Sequence, residues 1–151
     1  MKVGITGHRT PRIRGKEKDI ECWISGQLKN LKACYKDITL VTGMADGVDQ
    51  IAALAAIKLG IGVECYFPYK YKPYPAQQYI VDNAVEVKYI AENYSGKGTY
   101  INRDRKLVED SDVMLVVWDG IATGGTYYTY KYSKTLGKNM FLYPWKGVGL
   151  W

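Results

Sequence analysis

The chain has 151 residues, 47% of them hydrophobic and 24% charged, with a formal net charge of +6 at pH 7. This length suits one domain, residues 1–151, that buries a core of its own, and the composition is that of an ordinary globular protein. No run reaches the roughly 18 apolar residues of a membrane span, and MKVGITGHR at the start is too short an apolar stretch for a secretory signal, so a cytoplasmic protein with no membrane partner is expected.

Short β-branched runs alternate with longer amphipathic segments, the pattern of βαβ units around a mostly parallel sheet. Lys2–Thr6 reads as the first strand, followed by a loop over Gly7–Gly15. Lys16–Tyr35 reads as a helix, with Ile20, Trp23, Ile24, Leu28 and Leu31 spaced for one buried face. Ile38–Thr42 is the second strand, closed by Gly43, and the alanine-rich stretch Val48–Leu59 is a helix that Gly60 caps. Val63–Phe67 is a third strand, and the prolines of the following YKYKPYPAQQY break any helix before Ala76. Glu86–Ala91 reads as a fourth strand and Tyr100–Glu109 as a helix. Asp112–Trp118 is a near-continuous apolar run, as a central strand buried on both faces would be. Thr126–Leu136 is a helix ended by Gly137, and Asn139–Tyr143 is the last strand. The fold class expected is α/β, a Rossmann-like three-layer sandwich.

Four turns follow a predicted strand or open a helix, where the ligand crevice of a doubly wound sheet lies. The first holds Gly7, His8 and Arg9, a sharp turn with two side chains able to face an anion. The second runs from Gly43 through Asp46 and Gly47 to Asp49, where free amides at a helix start suit a phosphate; an ordinary strand-to-helix turn capped by Asp46 is the alternative. The third, Asn102-Arg103-Asp104-Arg105, offers guanidinium groups to phosphate or carboxylate, with helix-surface salt bridging as the alternative. The fourth runs from Asp119 to Gly124, Gly125 and Thr126, whose backbone and hydroxyl can approach a phosphate closely. It is not a P-loop, because no lysine follows the glycines in the required place, and no GxGxxG occurs.

Cys22, Cys34 and Cys65 form no CxxC pair and His8 is the single histidine, which fits reduced thiols and leaves no zinc cluster to assemble. No metal and no cofactor is expected. The lysines are dispersed, so nucleic acid is not indicated as a partner, and the positive charge suits a phosphorylated small molecule equally well. The loop from Tyr66 to Pro75 interleaves aromatics with lysines, as a base-stacking surface does, although tyrosines packed on neighbouring helices or on a second subunit would read the same. The tail from Trp145 to Trp151 reads as a core or oligomer contact, and a homo-oligomer is expected.

GITGHR, TGMADGVDQIAALAA, NRDRKLVEDSDVMLVVWDG and GGTYYTYKYSKTLGK together resemble the YpsA-type branch of the SLOG superfamily, which also holds the LOG phosphoribohydrolases and the DNA-processing protein DprA. The resemblance runs from about Met1 to Tyr143. It implies a Rossmann-like fold and a nucleotide or nucleotide-derived ligand, ADP-ribose-like or a cyclic nucleotide signal, with the protein as a sensor or a sequestering sponge, viral counter-defence included. Arg103 matches the family arginine, whereas Asp104 stands where asparagine is usual. LOG enzymes carry a glutamate after their Gly-Thr; here Tyr127, Tyr128, Thr129 and Tyr130 follow Thr126, so the obvious acid/base is missing and no catalytic residue is expected. Two alternatives follow from the resemblance, a LOG-like N-glycosidase acting on nucleoside monophosphates and single-stranded DNA binding as in DprA.

Overall fold

A computed structural model describes residues 1–146. Six strands form one sheet: β1 (Lys2–Gly7), β2 (Thr39–Thr42), β3 (Gly62–Phe67), β4 (Glu86–Tyr89), β5 (Val113–Val117) and β6 (Asn139–Leu142). Their order is β4-β3-β2-β1-β5-β6 and every pair is parallel, so the expected mostly parallel sheet is a wholly parallel one. Parallel neighbours demand crossovers. These are supplied by α1 (Thr10–Ile13), α2 (Glu17–Tyr35), α3 (Val48–Lys58), α4 (Pro75–Asp82), α5 (Lys97–Asp110) and α6 (Gly125–Thr135).

Alternation along the strands sends successive side chains to opposite faces. In β5, Val113, Leu115 and Val117 join the larger core with Ile20, Ile24, Leu28, Ala52, Ala56 and Ile80 of α2, α3 and α4. Met114 and Val116 instead meet Leu107 and Val108 of α5, together with Val41, Tyr66 and Trp118. The fold therefore has three layers, and the buried alanines of α3 let that helix settle close to the sheet. No helix among the described residues is long and apolar enough to cross a membrane.

Two helices depart from the sequence expectation. α1 lies inside the stretch expected to be a loop, where Pro11 takes the first turn and Ile13 is buried. α4 begins at Pro75, with the Gln77 side chain accepting a hydrogen bond from the Tyr74 N–H at 3.0 Å. In the tail, Trp145 packs edge-on against Tyr143 and His8, a core contact; Gly147 to Trp151 lie outside the described residues.

Candidate functional site

β1 and β5 are hydrogen-bonded neighbours, and the chain leaves them toward opposite edges of the sheet. Beyond the carboxyl ends of such a strand pair lies the crevice of a doubly wound sheet. On one side of it, α3 is docked directly on the end of β1. A Cβ at Gly7 would stand 2.4 Å from Val48 Cγ1, and the Val48 N–H donates to the His8 carbonyl at 3.1 Å. Gly47 has φ +90°, and a Cβ there would fall 2.5 Å from the same carbonyl, so this position admits only glycine. Asp46 fastens the same two loops by accepting from the Thr10 N–H at 3.3 Å and lying 3.7 Å from Arg9.

Arg103 reaches this turn from α5. It is 6% exposed, its Nη1 donates to the Gly43 carbonyl and its Nε donates to Asp104 Oδ1 at 2.7 Å. A Cβ at Gly43 would lie 3.0 Å from the guanidinium carbon, which accounts for glycine there. The Asp104 side chain thus pairs with the arginine beside it. Burial raises its pKa against the pull of Arg103.

The other side of the crevice is the start of α6. Gly124 is its N-cap with φ +91° and no side-chain cap. A Cβ on Gly124 would lie 3.3 Å from Arg12 Nη1, whereas one on Gly125 would meet nothing within 4 Å. Arg12 is held in place by an ion pair with Asp119. Asp119 also accepts from the Ile121 N–H at 3.0 Å, and its own N–H donates to His8 Nε2 at 3.0 Å. Burial works to raise the Asp119 pKa, but the Ile121 N–H and Arg12 outweigh it and keep the group ionised below its ordinary range. His8 is 3% exposed, and burial lowers its pKa despite the nearby carboxylate, so a neutral ring accepts the Asp119 N–H.

Between the two sides is a cavity of about 290 Å³. Of the residues singled out in the sequence, Gly7, His8, Arg9, Gly43, Asp49, Arg103, Gly125 and Thr126 line it together. Asp46 lines an adjoining chamber of about 210 Å³, and Gly124 lines a groove between α5 and α6. Gly47 and Asp119 line none of these spaces: Gly47 lets two loops touch, and Asp119 braces Arg12 and His8. Besides the apolar Ile5 and Leu107, three lining residues with polar groups escaped the sequence reading. Arg12 sat in an unrecognised helix, and Tyr100 and Thr129 carry no local signal that separates them from a core or surface role.

Asp49 differs from the other carboxylates. It is 8% exposed and lines the cavity, and burial pushes its pKa up to about 7 even though Arg103 and the Ala45 N–H, 3.3 Å away, oppose the shift. The cavity thus combines free helix-start amides, two arginines fixed by carboxylates and one carboxyl that changes charge near neutrality. Such a set can hold a phosphate, accept hydrogen bonds from sugar hydroxyls and exchange a proton. Among the described residues no cluster of three His, Cys, Asp or Glu side chains stands ready for a metal.

This is a doubly wound α/β protein with a polar crevice at the switch point of its sheet. No family model matches the sequence, and no curated protein matches it. Among solved structures, DNA processing protein A from Helicobacter pylori, described for its binding of single-stranded DNA, is similar at 23% identity with a TM-score of 0.71, over 94% of this chain and 64% of that one. DNA processing protein A from Streptococcus pneumoniae gives 22% identity and a TM-score of 0.71, over 99% of this chain and 51% of that one. The structural-genomics target TM1055 gives 17% identity and a TM-score of 0.64, over 92% and 71%. At these identities the likeness establishes the fold, and this chain spans from half to about seven-tenths of the length of each protein.

Proposed function

We propose that this protein, as a member of the SLOG superfamily, binds a nucleotide or nucleotide-derived ligand in the crevice between β1 and β5. One observation carries the reading: turns spread over more than a hundred residues of sequence, at Gly7, Gly43 and Gly125–Thr126, meet around one 290 Å³ cavity that Arg9, Arg12 and Arg103 also line. The amides that open α6, with Arg12 beside Gly124, suit a phosphate. Asp49 and Asp104, which line the same cavity, suit ribose hydroxyls. An ADP-ribose-like molecule or a cyclic nucleotide signal has both kinds of group, and the protein then acts as a sensor or a sequestering sponge. Mass spectrometry of small molecules released from the purified, denatured protein tests this directly, followed by calorimetric titration with what is found. A protein that releases nothing and takes up no nucleotide at millimolar concentration has another function.

A second reading, cleavage of an N-glycosidic bond, is favoured by Asp49, a buried carboxyl with its pKa near 7 and exposed to the cavity. Such a group is what proton transfer near neutral pH needs. The missing glutamate after Thr126 weighs against it. The binding reading expects nucleoside monophosphates to be recovered intact after hours with the protein at high concentration. Free base that appears with the native protein and disappears with Asp49→Asn would establish catalysis instead.

A further inference from the structure

Next to the polar cavity, and sharing Arg9, Gly43, Tyr100 and Arg103 with it, lies the second chamber of about 210 Å³. Its character is different. Tyr69, Tyr71 and Tyr74 from the loop between β3 and α4 form one side, and Tyr100 from α5 forms another. Tyr69, Tyr71 and Tyr100 are half-buried, while Tyr74 stands at the rim, 66% exposed.

The wall is held from behind. Gln77 is 4% exposed and commits its whole amide to it, donating to Tyr71 Oη at 2.9 Å and to the Met44 carbonyl at 3.0 Å and accepting from the Tyr74 N–H at 3.0 Å. Met44 is one of only two non-glycine residues among those described with positive φ, at 67°. Gln50 donates to the same carbonyl at 3.3 Å. A backbone held in a sparsely populated conformation by two side-chain amides marks a place where shape is fixed before any ligand arrives.

The rings meet one another at an angle or edge to face, and the Arg103 guanidinium lies over Tyr100 at 6.0 Å. Tyr69–Tyr71 and Tyr71–Tyr74 are tilted at 47° and 42°, and Tyr69–Tyr100 meets edge to face at 83°. None stacks in parallel, in contrast to Trp118, which stacks on Tyr127 and Tyr130 at 25° and 29°. Trp118 is thus already stacked, whereas the tyrosines that line the chamber have no parallel-stacked partner among one another.

We propose that this tyrosine-walled chamber receives the aromatic base of a nucleotide whose sugar and phosphate lie in the adjoining polar cavity. The proposal rests on the nucleotide-binding reading above and adds to it the place and the manner in which the base is held. Stacking against tyrosine faces recognises any base through its π surface. The Asp46 carboxylate, also lining the chamber, is an acceptor placed for bases that carry an amino group.

The test compares ribose 5-phosphate with AMP, GMP, CMP and UMP by calorimetric titration of the whole protein. Base stacking on aromatic side chains contributes about 1–3 kcal/mol, so at least one nucleotide is expected to bind roughly 5-fold or more tightly than ribose 5-phosphate. Tyr69→Leu, in a loop outside the core, is expected to bring that nucleotide close to ribose 5-phosphate without changing ribose 5-phosphate itself. Tyr71→Phe, which keeps the ring and loses only the hydroxyl facing Gln77, is expected to retain most of the preference. Ribose 5-phosphate that binds as well as every nucleotide, or a Tyr69→Leu protein that weakens both alike, overturns the base assignment and leaves the phosphate site standing. No binding of any of the five compounds overturns both readings.

Discussion

Asp49→Asn is expected to change the pH dependence of stability in a definite direction. In the folded protein the Asp49 carboxyl titrates at about 7, against 3.8 when free, chiefly because it is buried. Between those values the native state holds a proton that the unfolded chain has released, so stability falls as pH rises through this window and is flat on either side of it. Each pH unit crossed between the two values is worth about 1.4 kcal/mol, and the full displacement thus costs the wild type on the order of 4 kcal/mol above pH 7. Asparagine keeps an oxygen for the Ala45 N–H and cannot ionise. The stability of the variant relative to wild type should therefore climb from about pH 4 to about pH 7 and then level off. At roughly 2–4 °C per kcal/mol for a domain of this size, the gain in Tm at pH 8 relative to pH 4 is about 5–15 °C. Thermal unfolding followed by circular dichroism between pH 4 and 8.5 measures it. Parallel curves for the two proteins would mean that Asp49 has an ordinary pKa and that the cavity around it is well hydrated.

Three other substitutions separate residues that build the crevice from those that face into it. Gly47→Ala combines a positive φ with a Cβ 2.5 Å from the His8 carbonyl, and should lower stability by roughly 2–4 kcal/mol, read as a Tm drop of several degrees or more. Gly125→Val adds atoms where nothing lies within 4 Å, so its Tm should stay within a few degrees of wild type while calorimetric affinity for a nucleotide falls at least about 10-fold; unchanged affinity would remove the start of α6 from the site. Arg12→Ala deletes a cation beside Gly124 and should weaken phosphate binding by about 1.5–3 kcal/mol, whereas a loss below about 0.5 kcal/mol would reduce Arg12 to a brace for Asp119.

The layered fold was legible because period and composition agreed along most of the chain. The run from Val113 to Val117 could only be a strand covered on both faces, and the alanines after Val48 could only be a helix lying close to the sheet. The short helices were hidden for a physical reason. Thr10–Ile13 is barely one turn, too short for any periodicity, and the apolar side of Pro75–Asp82 consists mainly of Ile80, so prolines that open helices read as prolines that break them. Within the site, the glycines announced where backbones come close, but their reasons differ. Gly47 serves packing and Gly125 faces open space, and nothing in the local sequence tells one from the other. His8 is similar: a histidine after a strand invites a ligand role, yet its partners, Asp119 and Trp145, lie more than a hundred residues away. Contacts of that range carry no local pattern.

The register of the two central strands also bears on how the molecule comes to exist. Gly7 pairs with Val117, and in a wholly parallel sheet no hairpin brings such distant partners together early. While the protein is being synthesised, β1 keeps one edge open until β5 has left the ribosome, and closing a loop of that size is slow and favours late assembly. The crevice draws one wall from Gly7 and Gly43 and the other from Gly125 and Thr126, so it cannot form on a nascent or truncated chain that lacks β5 and α6. Ligand capture would then report that the last third of the chain has docked, and an abundant ligand would pull the final step of folding forward by mass action.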